Sequence, residues 1–293
     1  MLSSFTLAAL DLVFPALCPV CQTILGAGRR DPLCGNCWNA ISRLGTPWCH
    51  VCGAAPPIST FYAEPQRVAH GSGAGGAEPP SSGVGSPRPV RGAKSCDAGE
   101  RVTEPLGGSA PPAPLPCATC TSDPPHYDYA RSAALYGGPL REAIHALKFA
   151  GRRALAGPLG DLASEQCVRS LPDGIDALIP VPLARERERE RGFNQATLLA
   201  QRIGKRLDVP VRPRWLARIR ATRPQSDLSA AERRANVRGA FRASDHVRGC
   251  HVLLVDDILT TGATLDACAR ALRDAGARRV GVLTVARVVH AAV

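Results

Sequence analysis

A chain of 293 residues with 45% hydrophobic and 21% charged residues has the composition of a globular protein, which excludes disorder along its whole length. The formal net charge is +11, and residues 181–248 carry most of it, with 16 arginines and one lysine against seven acidic residues. Such a basic stretch favours a phosphorylated small molecule or a nucleic acid as ligand. No run of about 18 apolar residues occurs, so no membrane-spanning helix is expected.

The first residues of the chain are apolar but do not have the pattern of a secretory signal. Residues 1–14 lack a basic leading region and contain Asp11, so we expect a short amphipathic helix there. Paired cysteines without a secretory signal fit a reducing compartment. We therefore expect a cytoplasmic protein.

Four pairs of cysteines follow, each with the spacing Cys-x-x-Cys. Two sulfurs at this spacing can lie on one tight turn and supply half of a tetrahedral zinc shell. We pair the first two motifs with each other and the last two with each other; an interleaved pairing, disulfides or a redox motif are the alternatives. The predicted ligands of two structural Zn²⁺ ions are Cys18, Cys21, Cys34, Cys37, Cys49, Cys52, Cys117 and Cys120.

A segment rich in glycine and proline separates the third pair of cysteines from the fourth. Residues 64–116 hold ten glycines and ten prolines, a composition typical of segments that do not fold. The cost of closing a loop grows only logarithmically with its length, so the two pairs can still meet. We predict a disordered insertion inside a cysteine-rich module that spans residues 1–126.

From residue 127 onward, short apolar runs alternate with helical patterns. This alternation predicts an α/β domain over residues 127–293, with a parallel sheet flanked by helices. Ligands of such sheets bind beyond the carboxyl ends of the strands. The predicted strands are 132–136, 176–181, 251–255 and 279–287, and the predicted helices are 139–150, 154–168, 194–207 and 264–275.

The most informative segment is residues 251–264, where an uncharged strand is predicted to end at Asp256 and Asp257. A threonine-rich loop and the start of a helix come next. Exposed N–H groups and the helix dipole favour a phosphate there, and the carboxylates can accept hydrogen bonds from ribose hydroxyls. Alternatively, the acids only cap a turn. The predicted phosphate loop consists of Thr260, Thr261, Gly262, Ala263 and Thr264.

The segment 177–196 is predicted to contain a strand, a basic loop and the start of a helix, and in the loop arginines alternate with glutamates. Arg185, Arg187 and Arg189 fit a solvated, salt-bridged surface equally well. The next residues are better suited to a diphosphate, since a glycine permits a tight turn and an asparagine can cap the following helix. These candidates are Arg191, Gly192 and Asn194.

Residues 216–241 are too polar for a core, and we predict a mobile flap that closes over a bound ligand. A solvated helix face at 229–236 is the alternative. Lys148, at the end of a predicted helix, is a further candidate, although an ordinary C-terminal cation of a helix explains it equally well. The candidates in the flap are Arg218, Arg220, Gln225, Arg233 and Arg234.

The cysteine pairs, IPVPL, RERGFNQA, the RPQ of the flap and LLVDDILTTGATL occur in one order along the chain. In this order the chain resembles the ComF family of competence-associated, phosphoribosyltransferase-like proteins, outside residues 64–116. The resemblance implies a double zinc ribbon joined to a type I phosphoribosyltransferase fold that binds 5-phosphoribosyl-1-pyrophosphate (PRPP). It further implies that Asp256 and Asp257 grip the ribose, that residues 260–264 hold the 5′-phosphate, and that the protein is linked to DNA uptake or the use of external DNA.

If the domain is an enzyme, the expected reaction is displacement of pyrophosphate from ribose C1 by a nitrogen nucleophile. Asp256 and Asp257 would hold the ribose in line, and Mg²⁺ with arginines such as Arg191 would stabilise the leaving group. The competing hypothesis is a non-catalytic module that senses PRPP, or that binds single-stranded DNA or a protein of the DNA-uptake machinery. The small number of tyrosines and tryptophans argues against a stacking platform for DNA.

Overall fold

The computed structural model describes residues 16–25, 31–45, 49–54, 116–220 and 230–289. A four-stranded sheet lies at the centre of these residues, in the order β1-β6-β5-β2, and all its pairings are parallel. A separate antiparallel pair joins β3 to β4. The strands are β1 (Tyr129–Leu135), β2 (Ala177–Pro180), β3 (Leu216–Arg218), β4 (Phe241–Ala243), β5 (His251–Leu259) and β6 (Arg279–Arg287).

The helices divide between the cysteine-rich part and the sheet. Two short helices, α1 (Gly35–Asn39) and α2 (Ala118–Ser122), each carry the last cysteine of a pair. Every helix in the described ranges is too short or too polar to cross a lipid bilayer. The helices around the sheets are α3 (Gly138–Phe149), α4 (Ala156–Cys167), α5 (Arg185–Arg191), α6 (Gln195–Leu207), α7 (Ala230–Val237) and α8 (Ala263–Asp274).

The central strands bury both of their faces. Within β5, Leu253 and Val255 pack in the cluster that contains helices α3, α4 and α6, whereas Val252 and Leu254 pack in the cluster that contains α8. Successive side chains of a strand point to opposite faces, so a strand covered on both sides reads as a continuous apolar run. The predicted parallel sheet flanked by helices is confirmed.

The cysteine-rich part covers the outer edge of this sheet. The backbone N–H of Leu44 donates to Ala133, and that of Leu135 donates to Ser42, so that residues 42–44 run antiparallel to β1. An uncovered edge would expose unpaired backbone groups. Residues 42–44 of the cysteine-rich part therefore cover this edge by pairing with β1.

Three sequence-based predictions are wrong. Strand β5 does not end at the acidic pair but continues to Leu259, because Asp256 keeps its register with Thr284 of β6. The predicted basic loop is helix α5, which has glutamates in its first turn and arginines in its last turn, where each charge complements the helix dipole. The flap is not too polar for the core throughout, since Leu216 and Phe241 are buried.

Other predictions fall on residues outside the described ranges. These are the amphipathic helix at 1–14, the insertion at 64–116 and the central part of the flap, 221–229, with Gln225. The side chains of Arg233 and Arg234 lie outside them as well, although helix α7 forms where the alternative prediction placed a helix.

Tyr129 crosses the amino end of the sheet and contacts a buried histidine. Its hydroxyl lies 2.8 Å from Nε2 of His251, and Nδ1 of His251 lies 3.1 Å from the carbonyl oxygen of Gly174. A neutral imidazole satisfies both contacts when Nδ1–H donates to Gly174 and Nε2 accepts from Tyr129. The ring of Tyr129 also lies over Gly281, where an added Cβ would stand 2.2 Å from Cζ.

We expect Gly281→Ala to lower the free energy of unfolding by about 2–3 kcal/mol, because the new methyl group overlaps the Tyr129 ring in a packed core. Gly157→Ala on α4 is the matched control, since an added Cβ there meets no atom within 4 Å. The control should be neutral or stabilising by up to about 1 kcal/mol. Urea unfolding measures both, and an unchanged midpoint for Gly281→Ala would contradict this packing.

We also expect the stability of the protein to fall in mild acid because of His251. Burial, helped by the positive charge of Arg279, lowers the pKa of His251 from its usual 6.5, so the folded state disfavours the proton. The contribution of the neutral imidazole is complete above about pH 6.5 and is lost as the pH falls through the lowered pKa. His251→Gln should therefore show a flatter loss of stability between about pH 7 and pH 5. Equal slopes for the two proteins would count against this assignment.

Candidate functional site

A cavity of about 220 Å³ opens at the carboxyl edge of the sheet, where β2 and β5 end. Neighbouring parallel strands deliver their last residues to one edge, so residues far apart in the sequence meet there. The cavity brings both acids and the predicted phosphate loop together. Its polar lining consists of Lys148, Arg187, Gln195, Arg218, Asp256, Asp257, Thr260, Gly262 and Thr264.

Asp257 is the more buried of the two acids, with only 3% of its surface exposed. The ammonium group of Lys148 forms an ion pair with Oδ2 of Asp257, and Nε2 of Gln195 donates to Oδ1 at 3.0 Å. Burial alone would raise the pKa of Asp257, but the ion pair and the hydrogen bonds outweigh it and hold the pKa below its usual value. Asp257 is therefore the ionised member of the pair.

Asp256 has the opposite electrostatic situation. Burial and then the charge of Asp257 raise its pKa well above the usual value, and Lys148 offsets this only in part. Its Oδ1 accepts a hydrogen bond from the backbone N–H of Asp257 at 2.9 Å. A negative charge on Asp256 is poorly compensated by the protein alone, so Asp256 is suited to a ligand that brings hydroxyl donors or a cation.

The phosphate loop connects the end of β5 to helix α8. Gly262 adopts a left-handed backbone conformation with φ of 80°, and α8 begins at the next residue. The first N–H groups of a helix have no partner inside it and carry the positive end of its dipole. With the threonine hydroxyls beside them, these groups are donors of the kind that an anion requires.

Positive charge reaches the cavity from two further elements. Arg187 lines it from helix α5, and Arg218 lines it from strand β3. Burial lowers the pKa of Arg218, which indicates that its guanidinium group is partly removed from water. Water and salt screen a partly buried charge less than an exposed one, so the guanidinium group of Arg218 attracts an anion in the cavity more strongly than a fully solvated group would.

Two residues of the basic segment that were predicted to bind a diphosphate stabilise the local backbone and do not line the cavity. Asn194 is buried, caps α6 by accepting from the N–H of Ala196 at 2.9 Å, and donates to the carbonyl oxygen of Val181 at 2.9 Å. Gly192 ends α5 with φ of 74°. Both shape the turn beside the cavity without lining it.

Arg191 does not line the cavity but contacts Gln195, which does. It donates to the side-chain oxygen of Gln195, the same residue that donates to Asp257, and its guanidinium carbon lies 5.3 Å from the centre of the Phe149 ring. Burial is the largest of the influences that lower its pKa. Arg191 is thus connected to the acidic pair through Gln195.

The remaining predicted ligand residues face elsewhere. Arg220 donates to the carbonyl oxygens of Asn236 and Arg238 at 2.9 and 2.7 Å, at the end of helix α7. Thr261 and Ala263 line a second cavity on the cysteine side of the phosphate loop. Arg220 is therefore engaged with α7 in this conformation.

Sequence reasoning missed Gln195 and underrated Lys148 and Arg187. Gln195 had one signal, its place directly after the capping asparagine, where a parallel strand and helix meet the site. Lys148 has no local signal beyond its position at a helix end. Its role depends on a contact with Asp257, a residue from a different part of the chain.

The eight paired cysteines form two groups of four. Within each group, the sulfur atoms all lie within 4.8 Å of one another. A tetrahedral zinc ion with Zn–S bonds of about 2.3 Å requires sulfurs about 3.8 Å apart. The groups are those predicted from the spacing, namely Cys18, Cys21, Cys34 and Cys37, and Cys49, Cys52, Cys117 and Cys120.

Distances inside the groups fit zinc and exclude disulfides between the pairs concerned. The sulfurs of Cys21 and Cys34 are 3.4 Å apart and those of Cys52 and Cys117 are 3.7 Å apart, whereas a disulfide bond is about 2.05 Å long. The sulfur of Cys49 also accepts backbone N–H groups at 3.3 and 3.4 Å. Such N–H groups stabilise thiolates, the form of cysteine that binds zinc.

Two protein families match separate parts of the chain. A double zinc ribbon domain matches residues 9–68, and a phosphoribosyl transferase domain matches residues 189–292. The ribbon match ends before Cys117 and Cys120, which the structure places in the second group of cysteines.

Three curated relatives extend over larger parts of the chain. DNA utilization protein YhgH of Salmonella typhi is 36% identical over 180 residues, which cover 59% of this chain and 78% of that protein. Competence protein F of Haemophilus influenzae is 35% identical and covers 58% of this chain and 78% of its own length. Competence protein ComFC of Bacillus subtilis is 33% identical, covering 50% and 58%. With its paired cysteine groups, parallel sheet and threonine-rich loop after two acids, the chain belongs to the ComF family.

Proposed function

We propose that this protein binds PRPP together with Mg²⁺ in the cavity at the carboxyl edge of the sheet and transfers its phosphoribosyl group. One observation carries the proposal: Asp256, three residues of the phosphate loop and two arginines, Arg187 and Arg218, line the same cavity. This combination offers acceptors for sugar hydroxyls, donors for a phosphate and cations for a pyrophosphate.

The three parts of PRPP have matching groups in this cavity. The 5′-phosphate fits Thr260, Gly262 and Thr264, the residues of the phosphate loop that line the cavity. The ribose hydroxyls fit the carboxyl group of Asp256, on which the protein alone compensates a negative charge poorly. The pyrophosphate fits the guanidinium groups. Mg²⁺ prefers oxygen ligands, so pyrophosphate oxygens and the carboxyl group of Asp256 would hold it in this cavity. When bound, Mg²⁺ supplies positive charge to the leaving group.

The reaction is a substitution at C1 of the ribose. A nitrogen nucleophile forms a bond to C1 while the bond from C1 to the pyrophosphate oxygen breaks, and pyrophosphate leaves with the electron pair. The nucleophile then loses its extra proton to water. The protein contributes orientation and electrostatic stabilisation: Asp256 holds the sugar, and Arg187 and Arg218 face the charge that builds on the leaving group.

We further propose that the chain comprises a zinc-binding module over residues 1–126 and a transferase domain over residues 127–293. The names of its relatives, which refer to competence and DNA utilization, support a role in the use of external DNA. The acceptor would then be a nitrogen compound met in that process.

Asp256→Asn is expected to weaken binding of PRPP with Mg²⁺ by about tenfold or more. The reason is that an amide lacks the negative charge that interacts with the ribose hydroxyls and with Mg²⁺. Isothermal titration calorimetry measures the affinity. Asp173→Asn is the matched control because Asp173 is exposed and lies in the turn before β2, at the amino edge of the sheet, so it should bind like the wild type.

Two results would overturn this assignment. Wild-type heat no larger than that of buffer would remove the PRPP site, and unchanged affinity in Asp256→Asn would remove the role of that residue. Release of pyrophosphate from PRPP in the presence of ammonia or nucleobases distinguishes transfer from simple binding.

Metal analysis tests the two ribbons. We expect two zinc ions per chain in the wild type and one in Cys117→Ser with Cys120→Ser, because a site with two thiolates holds zinc weakly. Cys167→Ala removes a buried cysteine outside both groups and should retain two ions. Wild-type protein purified without chelators and found free of zinc would contradict the ribbons.

A further inference from the structure

The phosphate loop borders two cavities at once. One is the cavity at the carboxyl edge of the sheet that Asp256 and Asp257 line, called the acid-lined cavity from here on. Thr260 and Gly262 line this cavity and also a second cavity of about 270 Å³. Cys52, Cys117 and Arg287 line the second cavity. The second group of cysteines therefore shares this cavity with the loop that is proposed to hold the 5′-phosphate.

The turn that carries Cys49 and Cys52 is fixed against the sheet. The backbone N–H of Ala130 donates to the carbonyl oxygen of Val51 at 2.6 Å. Gly53 has φ of 68°, and a Cβ added there would stand 2.3 Å from the carbonyl oxygen of Ala130. So close an approach of two backbones leaves the turn little freedom to shift.

Arg287 connects this turn to the residue that precedes the loop. It is the last residue of β6 and is in register with Leu259, the last residue of β5. On either side of it, the N–H of Val288 donates to Leu259 at 2.9 Å, and the Arg287 carbonyl accepts from Tyr136 at 2.8 Å. The backbone of Arg287 is thus held where the loop begins.

The side chain of Arg287 reaches the zinc-binding turn. Nη1 donates to the carbonyl oxygen of Cys52, and Nη2 lies 3.6 Å from its sulfur. A zinc ion with four thiolates carries a net negative charge, so the guanidinium group is attracted to the cluster as well as bonded to its backbone. One side chain therefore ties the second zinc site to the start of the phosphate loop.

We propose that Arg287 is a positioning residue, which holds the second zinc ribbon against the phosphate loop and so keeps the loop in the shape that receives the 5′-phosphate. This inference rests on the proposed function. A loop that is already ordered loses less conformational entropy when the ligand binds. Affinity for the phosphate end of PRPP thereby depends on a contact outside the acid-lined cavity.

The test compares two ligands. Arg287→Gln removes the charge and the forked donors but keeps a polar side chain, and it should weaken PRPP binding by about tenfold. Binding of pyrophosphate with Mg²⁺, which lacks the ribose 5-phosphate, should stay as in the wild type. Arg287→Lys keeps the charge but loses the forked pair of N–H donors, so its affinity for PRPP should lie between those of the wild type and Arg287→Gln.

Arg131→Gln is the matched control. Nη1 of Arg131 donates to the carbonyl oxygen of His50 at 3.0 Å, so Arg131 ties the same turn to the middle of β1, away from the phosphate loop. Its loss removes a comparable contact of the ribbon and should leave PRPP affinity unchanged. Zinc content measured on the same preparations should be two ions in all variants.

Several outcomes would overturn the inference. Arg287→Gln that binds PRPP as tightly as the wild type, or that weakens both ligands equally, removes the positioning role, and so does a loss of PRPP affinity that appears only together with loss of a zinc ion. If Arg131→Gln lowers the affinity for PRPP as much as Arg287→Gln does, the effect is not specific to the contact beside the phosphate loop. If the wild type itself binds no PRPP, the proposed function fails and this inference fails with it.

Discussion

The ion pair between Lys148 and Asp257 is the contact on which the rest of the site depends. Two neighbouring carboxylates at the end of a buried strand repel each other and lose their hydration. Lys148, brought in by helix α3, and Gln195, at the start of α6, stabilise the charge on Asp257. Strand β5 can therefore run past both acids to Leu259, and Asp256 is left as the carboxyl group that a ligand must satisfy.

The phosphate loop follows from the same arrangement. Because β5 keeps its pairing with β6 to its last residue, the loop starts from a fixed point and turns at Gly262 into helix α8. The acid-lined cavity lies on one flank of the loop, and the second group of cysteines lies on another. The zinc module and the sheet thus meet beside the loop that we propose as the phosphate site.

The second ribbon also explains how the chain can carry the segment 64–116. Its two halves, Cys49 with Cys52 and Cys117 with Cys120, come together although that segment separates them. Closing a longer loop costs little more than closing a short one, and zinc binding by four thiolates is strong enough to offset it. The match to the double zinc ribbon family ends at residue 68, whereas the second group of cysteines in the structure also includes Cys117 and Cys120.

Local patterns in the sequence determined the alternation of strands and helices, the threonine-rich loop after two acids and the four Cys-x-x-Cys pairs, because each depends on residues close together in the sequence. The tertiary structure alone decided which cysteine pairs come together, the length of β5 and the direction of Arg220. It also decided that Lys148, Gln195 and Arg187 share one cavity with Asp256. The physical reason is that each of these features depends on partners from distant segments, which meet only when the strands are ordered in the sheet and bring their carboxyl ends to one edge.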